Sequence, residues 1–538
     1  MRRAAFPLSI VALGILAFLA WMHPAVLWPT NAGWVLVGDD RGQSAIGLNA
    51  FLRAGGWALR QPLLAAPEGM ALLFTDSIPL LGVLLKPFAP WLPAAVQFIG
   101  PWYLACMMLQ ACFAALLVRR STADPLAVWL GAALLTAFPV LLNRYGHASL
   151  CAQWLLLWSL WIFVEPRRSD RPWWWAAVLG VAALIHAYLL LMVAIFWGSA
   201  MLERLWRGGD RLRTIVGAAL AMVPAAASMA LHGAFAGPYA STGTYGQFPA
   251  ALDAWWNPAN PGLTALLPSS PAMPQGRGFE GFNYLGAGLL ALVLLAAVRL
   301  ASGRVDTARR LLIRRLAWLL PAFVVLALVA IGPAPVWRGL PIGSMALPTV
   351  LIDALDPIRA GGRLLWPITY TLAFAAIAMA ASLRRATLVL GGALALQVVD
   401  LTPMIAAVRA TSARADDPRV YTRTADPRWD ALVATAGDIQ FDPAEPFRDL
   451  VLMEEIGWRG VAACRPLRYF YASREAQATR ARIDADSRAF QAGRLVPTRL
   501  YILLGAAPVP AAVAAKVREI DGVRLIPPTR PGPPPTCS

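Results

Sequence analysis

Residues 95–118 read AVQFIGPWYLACMMLQACFAALLV, a run of 24 residues without a charged side chain. An α-helix needs about 20 apolar residues to cross the hydrocarbon core of a bilayer, so this run is long enough for one span. Similar runs lie at 4–22, 125–142, 149–164, 173–204, 213–232, 283–300, 316–332, 364–383 and 386–404. The run 173–204 is long enough for a hairpin of two helices with its tip near His186. The sequence therefore predicts eleven membrane-spanning helices.

The composition of the whole chain agrees with this interpretation. Of its 538 residues, 58% are hydrophobic and 14% are charged, whereas a soluble domain has about 25% charged residues. A soluble fold has no room to bury so many uncharged helices, which excludes that class. The first run, 4–22, follows two arginines and lacks a small-residue cleavage site at its end, so we interpret it as a retained signal anchor.

Positive charge is concentrated in short loops between the apolar runs. Nineteen arginines and six acidic residues lie in six such loops, at 1–3, 119–124, 165–172, 203–213, 299–315 and 384–385. Short loops rich in arginine stay on the cytoplasmic side of a membrane. We therefore expect a cytoplasmic N-terminus, and we attribute the net charge of +17 to orientation in the membrane and not to nucleic-acid binding.

The same rule places the longer loops on the outer side, at 24–94, 233–282 and 333–363, together with the chain after residue 404. Residues 78–92 are apolar but short, and they contain three prolines and a lysine. If this segment crossed the membrane, every later arginine-rich loop would lie outside, so we expect an interfacial or re-entrant helix there. The amphipathic stretch from Ser44 to Arg53 predicts a helix that lies on the membrane surface.

The composition changes after residue 404, because the tail is rich in charged residues and its apolar runs are short. Its pattern predicts strands at 501–504 and 523–526, helices at 474–493 and 509–519, and a proline-rich extended arm at 527–535. The chain is thus predicted to have two parts, an α-helical polytopic membrane part over 1–404 and a small extracytoplasmic α/β domain over 405–538.

Two of the five cysteines, Cys464 and Cys537, lie in the tail. In an oxidising periplasm two such cysteines are candidates for a disulfide. The other three, Cys106, Cys112 and Cys151, lie in apolar runs, and we interpret them as packing residues.

The sequence has no P-loop, no CxxC motif and no HExxH motif, and its four histidines are scattered. These features disfavour ATP-driven transport and imply no cofactor, while a need for a divalent metal stays open. The apolar runs also lack the acids and bases that an ion relay needs. Asp400 near the end of the last run is the main exception, and we interpret it as interfacial.

Polar residues cluster instead where the apolar runs meet the outer loops. The clusters contain Asp39 and Asp40 in GDDR (38–41), Asp76 in TDSIP (75–79), Arg144 and His147 in NRYGH (143–147), Glu280, Asn283 and Tyr284 in FEGFNY (279–284), and Arg359 and Arg363 in DPIRAGGR (356–363). A first-loop carboxylate is a candidate general base, and arginines at the rim suit a lipid-anchored phosphate because their planar fork donates to two oxygens. Simpler roles stay open, with the aspartates as helix caps and the arginines as interfacial anchors.

These pieces, in this order, resemble the C-type (GT-C) membrane glycosyltransferases, and more closely a bacterial family of uncharacterised membrane proteins placed near them. The matching pieces are GDD at 38–40, TDSIPLL at 75–81, KPF at 86–88, RYGHASL at 144–150, EGFNYLG at 280–286 and RAGGRLLWP at 359–367. The resemblance covers nearly the whole chain. It implies a sugar donor on a polyprenyl phosphate and a first-loop acid, Asp39 or Asp40, that activates the acceptor hydroxyl.

We therefore expect a glycosyltransferase at the periplasmic face of the bacterial inner (cytoplasmic) membrane, with Arg359 and Arg363 on the donor phosphate and the other clustered residues around the substrate. A transferase predicts a first-loop aspartate and one of these arginines in one outer cavity. The first alternative, a lipid-linked saccharide transporter or flippase, predicts a groove open to both leaflets. The second, a non-enzymatic envelope assembly protein whose tail binds a partner, predicts no cavity there.

Overall fold

The computed structural model of the chain describes residues 2–235, 245–270, 277–534 and 537. Outside these ranges lie Met1 of the basic loop 1–3, residues 236–244 and 271–276 of the outer loop 233–282, and Pro535 of the predicted arm. The described chain is mostly helical, and a four-stranded sheet lies near its C-terminus.

Nineteen α-helices precede the C-terminal region in the described ranges. They are α1 (Arg2–Trp21), α2 (Asp40–Arg53), α3 (Pro79–Leu85), α4 (Ile99–Val118), α5 (Pro125–Thr136), α6 (Pro139–Leu142), α7 (Trp154–Phe163), α8 (Pro166–Ser169), α9 (Pro172–Ala183), α10 (Ala187–Trp206), α11 (Arg211–Leu231), α12 (Arg277–Glu280), α13 (Ala287–Ala301), α14 (Thr307–Leu316), α15 (Leu320–Ile331), α16 (Thr349–Leu355), α17 (Trp366–Ala380), α18 (Ala386–Asp400) and α19 (Thr402–Ser412). Two short antiparallel hairpins lie in the loops, β1 (Arg60–Gln61) with β2 (Met70–Ala71) and β3 (Val336–Trp337) with β4 (Leu340–Pro341).

Six helical stretches of the described chain are long and apolar enough to cross a membrane: Ile99–Val118, Pro125–Leu142, Ala187–Trp206, Arg211–Leu231, Thr307–Ile331 and Gly361–Ala380. A seventh span results if α18 and the segment after it, which meet at a bend of 53°, count as one. Four shorter apolar helices of 10–17 residues lie at Ala5–Trp21, Ala148–Phe163, Pro172–Ala183 and Ala287–Ala301. This architecture is consistent with a multi-pass membrane protein, but the predicted count of eleven spans is not confirmed.

Acidic residues in the arginine-rich loops begin several of these helices. Asp124 caps α5, where its Oδ1 accepts a hydrogen bond from the Leu126 N–H at 3.0 Å and Pro125 occupies the first helical position. Asp306 caps α14 in the same way, through the Arg309 N–H at 2.8 Å. A capping side chain satisfies an N–H group that has no partner within the helix, and proline has no N–H to satisfy. The acids of these loops thus determine where the helices begin.

Buried polar side chains connect the helices. Gln110 on α4 donates to the Tyr370 hydroxyl on α17 at 3.0 Å, and that hydroxyl donates to Gln153 Oε1 at the start of α7 at 2.7 Å. Hydrogen bonds of this kind favour specific helix packing in an apolar environment. Asp400, the last residue of α18, belongs to this buried set and accepts a hydrogen bond from the Tyr284 hydroxyl at 2.6 Å, while its position at the membrane interface stays a prediction.

The stretch Ser44–Arg53 is helical, within α2, but the prediction that it lies on the membrane surface is wrong. Residues 41–52 of α2 are all buried, and α2 packs against the helix α21 (Leu450–Ala462) of the C-terminal region. Gln43 donates from Nε2 to the Tyr471 carbonyl at 2.9 Å, which adds a polar link between the two parts. An amphipathic pattern suits a lipid surface and a protein surface equally well, and here the tail provides the surface.

The apolar segment 78–92 forms the short helix α3 and a 3₁₀ helix over Lys86–Trp91. At about 1.5 Å per residue for the α-helix and about 2.0 Å for the 3₁₀ helix, neither is long enough to cross a bilayer. The Lys86 ammonium donates to the carbonyls of Phe51 at 2.6 Å and Leu52 at 3.2 Å, at the C-terminal end of α2. A cation at this end satisfies free carbonyls and interacts favourably with the helix dipole.

The C-terminal region forms a small α/β domain. Its strands are β5 (Asp438–Asp442), β6 (Arg499–Leu503), β7 (Arg518–Ile520) and β8 (Val523–Ile526), and its other helices are α20 (Arg428–Thr435), α22 (Gln477–Gln491) and α23 (Ala511–Ala514). The sheet order is β5-β6-β8-β7, with β5 and β6 parallel and the other pairs antiparallel. The strands predicted at 501–504 and 523–526 and the helix predicted at 474–493 are confirmed within a few residues.

The helix predicted at 509–519 is mostly wrong. One helical turn, α23, forms there, and residues 518–520 instead pair with β8 as an edge strand. The described part of the proline-rich arm has no helix or strand, and the Gly532 N–H donates to the Thr435 carbonyl at 2.8 Å. Cys537 at its end forms a disulfide with Cys464, which joins the arm to the end of α21.

Candidate functional site

A cavity of about 230 Å³, here called the site cavity, lies where the predicted polar clusters meet the C-terminal domain. Its polar lining consists of Asp40, Asp76, His147, His186, Tyr188, Arg359, Arg363, Tyr471, Ser473 and Arg474. These residues come from the first loop, the 143–147 turn, the start of α10, the loop before α17 and the tail. The structure thus brings together residues from four of the five predicted clusters in one cavity.

The start of α2 separates the roles of Asp39 and Asp40. Gly38 has a φ of +79°, a left-handed conformation that favours glycine, and it turns the chain into the helix. Asp39 caps α2 through the Arg41 N–H at 3.0 Å, and its carboxylate also pairs with the Arg41 guanidinium at 2.6 Å. The carboxylate of Asp40 lines the site cavity instead. Asp39 therefore has a structural role, and Asp40 is the first-loop acid that a substrate would meet.

His147 lies between two carboxylates. Its Nδ1 pairs with Asp40 Oδ2, and its Nε2 lies 3.3 Å from Glu280 Oε1. A histidine with an acceptor at each ring nitrogen is held in a fixed orientation and favours its doubly protonated form. His147 therefore fixes the position of the Asp40 carboxylate at the wall of the cavity.

Glu280 compensates two buried arginines. Arg363 donates to it twice, from Nε to Oε2 at 2.7 Å and from Nη2 to Oε1 at 2.6 Å. Arg144 donates from Nη1 to Oε2 at 3.0 Å. All three residues are buried away from water, so the negative charge of Glu280 and the positive charges of the two arginines stabilise one another. The fork of Arg363, which we predicted to hold a phosphate, is thus already occupied by a carboxylate.

A close approach of two loops places Arg363 beside Glu280. A Cβ on Gly362 would lie 2.7 Å from the Gly281 Cα, so a larger residue would push the loops apart. The Asn283 amide donates to the Gly281 carbonyl at 3.1 Å and to the Gly362 carbonyl at 3.0 Å. Asn283 therefore joins the two loops and acts on the site only through their position.

Arg359 differs from Arg363 because it has no carboxylate partner among the described residues. Its guanidinium carbon lies 5.7 Å from the centre of the Phe248 ring, a favourable distance for a cation–π contact. The hydroxyl of Tyr471 is a further neighbour. Of the two predicted phosphate ligands, Arg359 is the one whose fork is free of a carboxylate.

Asp76 forms a second carboxylate–histidine pair. Its Oδ1 lies 3.3 Å from His186 Nε2, and His186 Nδ1 accepts a hydrogen bond from the Tyr188 N–H at 3.1 Å. Because Nδ1 accepts, a neutral His186 carries its hydrogen on Nε2 and donates it to Asp76. The alternative that Asp76 caps the N-terminus of α3 is wrong, since the residue before α3 is Ile78, and Asp76, with a left-handed φ of +49°, instead ends a 3₁₀ helix over Leu72–Thr75.

The acids of the site differ in acidity. Burial raises the pKa of the Asp40 carboxyl to about 6, although the charge of His147 opposes this rise. Burial by itself would also raise the pKa of Glu280, but the charges of Arg363 and His147 hold it well below its usual range. Burial by itself would raise the pKa of Asp76, but the hydrogen bond from His186, together with the charges of the two histidines and Arg363, lowers it. Asp40 is therefore the acid suited to proton exchange near neutral pH.

Three residues of the cavity have the chemistry of a metal site. Asp40, Asp76 and His147 each offer one ligand atom, and these atoms lie within 4.8 Å of one another. Two carboxylates and an imidazole suit a divalent cation such as Mn²⁺ or Zn²⁺, and three protein ligands leave positions for a substrate. A cation there would replace the pairs that Asp40 and Asp76 make with the two histidines.

The C-terminal domain closes one side of the cavity. Ser473 N–H donates to the Phe74 carbonyl in the first loop at 2.8 Å. Arg474 lies 3.2 Å from Asp356 Oδ2 in the loop before α17. The segment 471–474 is thus attached to both loops that supply the candidate base and the candidate phosphate ligand.

Sequence reasoning missed several of these residues. His147 was among the predicted residues but His186 was not, although both line the cavity. The position of His186 at the predicted hairpin tip was a usable signal, because that tip lies on the same face as the other clusters. No local pattern in the sequence marks Tyr471. Tyr284, in turn, does not line the cavity, because its hydroxyl binds Asp400.

The fold and the cavity define a mostly helical protein, consistent with a multi-pass membrane protein, with a polar site between its helix ends and a C-terminal α/β domain. The family model described as "Domain of unknown function (DUF6311)" matches residues 11–402, and that of the "DUF6311 C-terminal domain" matches residues 428–528. The chain therefore belongs to the DUF6311 family. A comparison with curated proteins finds no match.

Proposed function

We propose that the chain is a membrane glycosyltransferase that moves a sugar from a polyprenyl-phosphate donor to an acceptor hydroxyl at the periplasmic face. The proposal rests on one observation: Asp40, a half-buried carboxyl whose pKa is raised to about 6, shares the site cavity with Arg359. A base of this pKa is largely ionised at neutral pH and still accepts a proton. The nearby arginine supplies the charge that a phosphate leaving group needs.

In the proposed reaction, the acceptor oxygen attacks the anomeric carbon as the bond between that carbon and the phosphate oxygen breaks. The acceptor proton passes to Asp40, and polyprenyl phosphate leaves with the bonding electrons. One displacement of this kind inverts the configuration at the anomeric carbon. His147 holds the Asp40 carboxylate in place, which supports transfer late in the transition state, when the attacking oxygen has become acidic.

Arg359 is assigned to the donor phosphate. Its guanidinium lines the cavity and has no carboxylate partner among the described residues, so a phosphate would meet an available fork. Arg363 is assigned a supporting, electrostatic role. Its guanidinium is bound to Glu280 and so held in a fixed position, and from there its positive charge acts on a phosphate in the cavity. Preorganised positive charge of this kind stabilises charge that develops on a leaving group.

The cavity also weighs against the two alternatives. An assembly protein needs no buried set of titratable groups at this position. A flippase needs a polar path through the helices, yet the large cavity near Arg309 and Arg314 shares no lining residue with the site cavity. Arg363, in the turn before α17, lines the site cavity, and Phe374, on α17, lines the other cavity. These two residues are eleven positions apart, which corresponds to about 16 Å along the helix axis.

Lipids extracted from the purified full-length protein provide the test. Mass spectrometry is expected to detect a polyprenyl-phosphate sugar with the wild type and with the control Arg338→Gln, an exposed arginine of the same 333–363 loop. The Arg359→Gln variant should retain at least about tenfold less of this lipid than the wild type, because the variant loses a charge-assisted hydrogen bond to the phosphate. The proposal is wrong if no preparation retains such a lipid or if both variants retain it equally.

A further inference from the structure

A second cavity, of about 500 Å³ and here called the arginine cavity, lies where the arginine-rich loops converge. Its lining includes Arg120, Arg207, Arg309, Arg314 and Arg315. These side chains come from the loop after α4, the end of α10 and the helix α14. Five cations from three separate segments therefore face one space that the proposed reaction does not use.

The carboxylates around this cavity do not balance its arginines. Glu203 forms ion pairs with two of the arginines: its carboxylate lies 2.8 Å from the Arg207 guanidinium and contacts the Arg315 guanidinium. Glu165 pairs with Arg120, and Asp306 lies 3.5 Å from Arg309. Arg314 has no carboxylate partner in the part of the chain that the structure describes. Three carboxylates thus face five guanidinium groups, which leaves two positive charges uncompensated.

A neutral donor also lies at the wall of the arginine cavity. The Ser121 hydroxyl is buried and has no hydrogen-bond partner among the described residues. The neighbouring Ser121 carbonyl is already bound, since Arg309 donates to it at 2.5 Å. A buried hydroxyl without a partner is costly, and an acceptor oxygen of a ligand would satisfy it.

The rest of the wall is apolar and lies at the edge of the helix bundle. Leu311, Leu312, Val164 and Phe374 line the cavity beside the arginines. The stretch Thr307–Ile331, which supplies the two leucines, is only 17% buried over its most apolar window, so most of it faces outward. Leu311 itself is 59% exposed. The cavity thus offers charge to a headgroup and an apolar surface to the chain attached to it.

We propose that the arginine cavity binds the phosphate headgroup of an anionic lipid, with the acyl chain along Leu311 and Leu312. A free phosphate anion shares the arginine chemistry but makes no use of the apolar wall. The general preference for arginine on the cytoplasmic side accounts for charge in these loops. It does not account for their convergence on one cavity beside an unsatisfied hydroxyl. Basic pockets between membrane helices bind anionic headgroups in this manner.

Native mass spectrometry of the full-length protein in neutral detergent can test this site. The protein is titrated with dioleoyl phosphatidylglycerol, with dioleoyl phosphatidylcholine as a neutral lipid and with inorganic pyrophosphate as a free anion. The test variant is Arg207→Gln/Arg314→Gln, because both side chains are exposed enough to be replaced without loss of the fold. The matched control is Arg304→Gln/Arg310→Gln, which removes two exposed charges from the same 299–315 region outside the cavity.

The wild type and the control are expected to bind phosphatidylglycerol in preference to phosphatidylcholine, and the test variant to bind it at least about tenfold more weakly. Equal weakening in both double variants would show a diffuse basic surface and overturn the site. Pyrophosphate binding without lipid binding would overturn the assignment to a lipid headgroup. Equal binding of the two lipids by the wild type would overturn it as well.

Discussion

The two cavities of this protein differ in how many of their charged residues have a partner of opposite charge, and among the described residues of the site cavity Arg359 alone lacks one. In the site cavity, Asp40 pairs with His147, Asp76 pairs with His186, and the nearby Glu280 binds two arginines. In the arginine cavity, five arginines share three carboxylates. Buried charges that compensate one another keep a fixed geometry, which favours a reaction. Uncompensated charges at the edge of the bundle favour the binding of an anion from outside.

The largest expected effect concerns the compensation of buried charge beside the site cavity, and a substitution of Glu280 tests it. Glu280→Gln leaves Arg144 and Arg363 buried without their carboxylate, and breaking a buried pair costs about 3–5 kcal/mol. A denaturant titration in detergent micelles should show a loss of this size in the free energy of unfolding. The control Glu445→Gln removes a carboxylate from an exposed pair with Arg448 and should cost less than about 1 kcal/mol. Equal losses would contradict the picture of a compensated site.

The two arginines of the 356–363 segment should respond differently. Arg359→Gln should weaken binding of a polyprenyl-phosphate sugar by about 1.5–3 kcal/mol, because it removes a charge-assisted hydrogen bond. Arg359→Lys should rescue poorly, since lysine lacks the planar fork. Arg363→Gln should instead lower the stability of the fold, because it leaves Glu280 without its main partner. A titration with the lipid and a parallel unfolding experiment separate the two effects, and a reversed pattern would exchange the two assignments.

The pH dependence of turnover should report Asp40. Only the ionised carboxylate takes a proton, and burial raises the pKa of Asp40 to about 6. We therefore expect kcat/KM to be constant well above pH 6 and to fall about tenfold per pH unit below it. Arg359→Gln should keep the same midpoint at a lower rate, because that variant retains Asp40. A profile that stays flat between pH 5 and pH 7 would exclude Asp40 as the base.

The helices were largely predictable because the signal is local. A long run without charge has few options other than a buried or membrane-crossing helix, and α4 (99–118) and α11 (211–231) lie close to the predicted 95–118 and 213–232. The position of α2 was not predictable. Its amphipathic pattern does not say whether lipid or α21 covers it, because both surfaces are apolar.

The site was predictable in part for the same reason. Polar residues at helix ends on one face of a membrane protein converge, so Asp40, His147, Arg359 and Arg363 were identifiable. The choice between Asp39 and Asp40 depends on which of two adjacent carboxylates caps the helix, and a sequence does not contain that geometry. Tyr471 reaches the cavity through contacts more than 400 residues apart along the chain, which no local pattern encodes.

The role of Asp40 is tested most directly by the rate at which polyprenyl phosphate is released from a polyprenyl-phosphate sugar, in membranes that supply the native acceptor. Asp40→Asn should lose about 10²–10⁴-fold in kcat and keep donor binding, since the amide preserves the shape but accepts no proton. Asp39→Asn should keep the rate of the folded protein, because Asp39 caps α2 and pairs with Arg41 outside the cavity. Wild-type turnover by Asp40→Asn, or a larger loss in Asp39→Asn, would contradict the assignment.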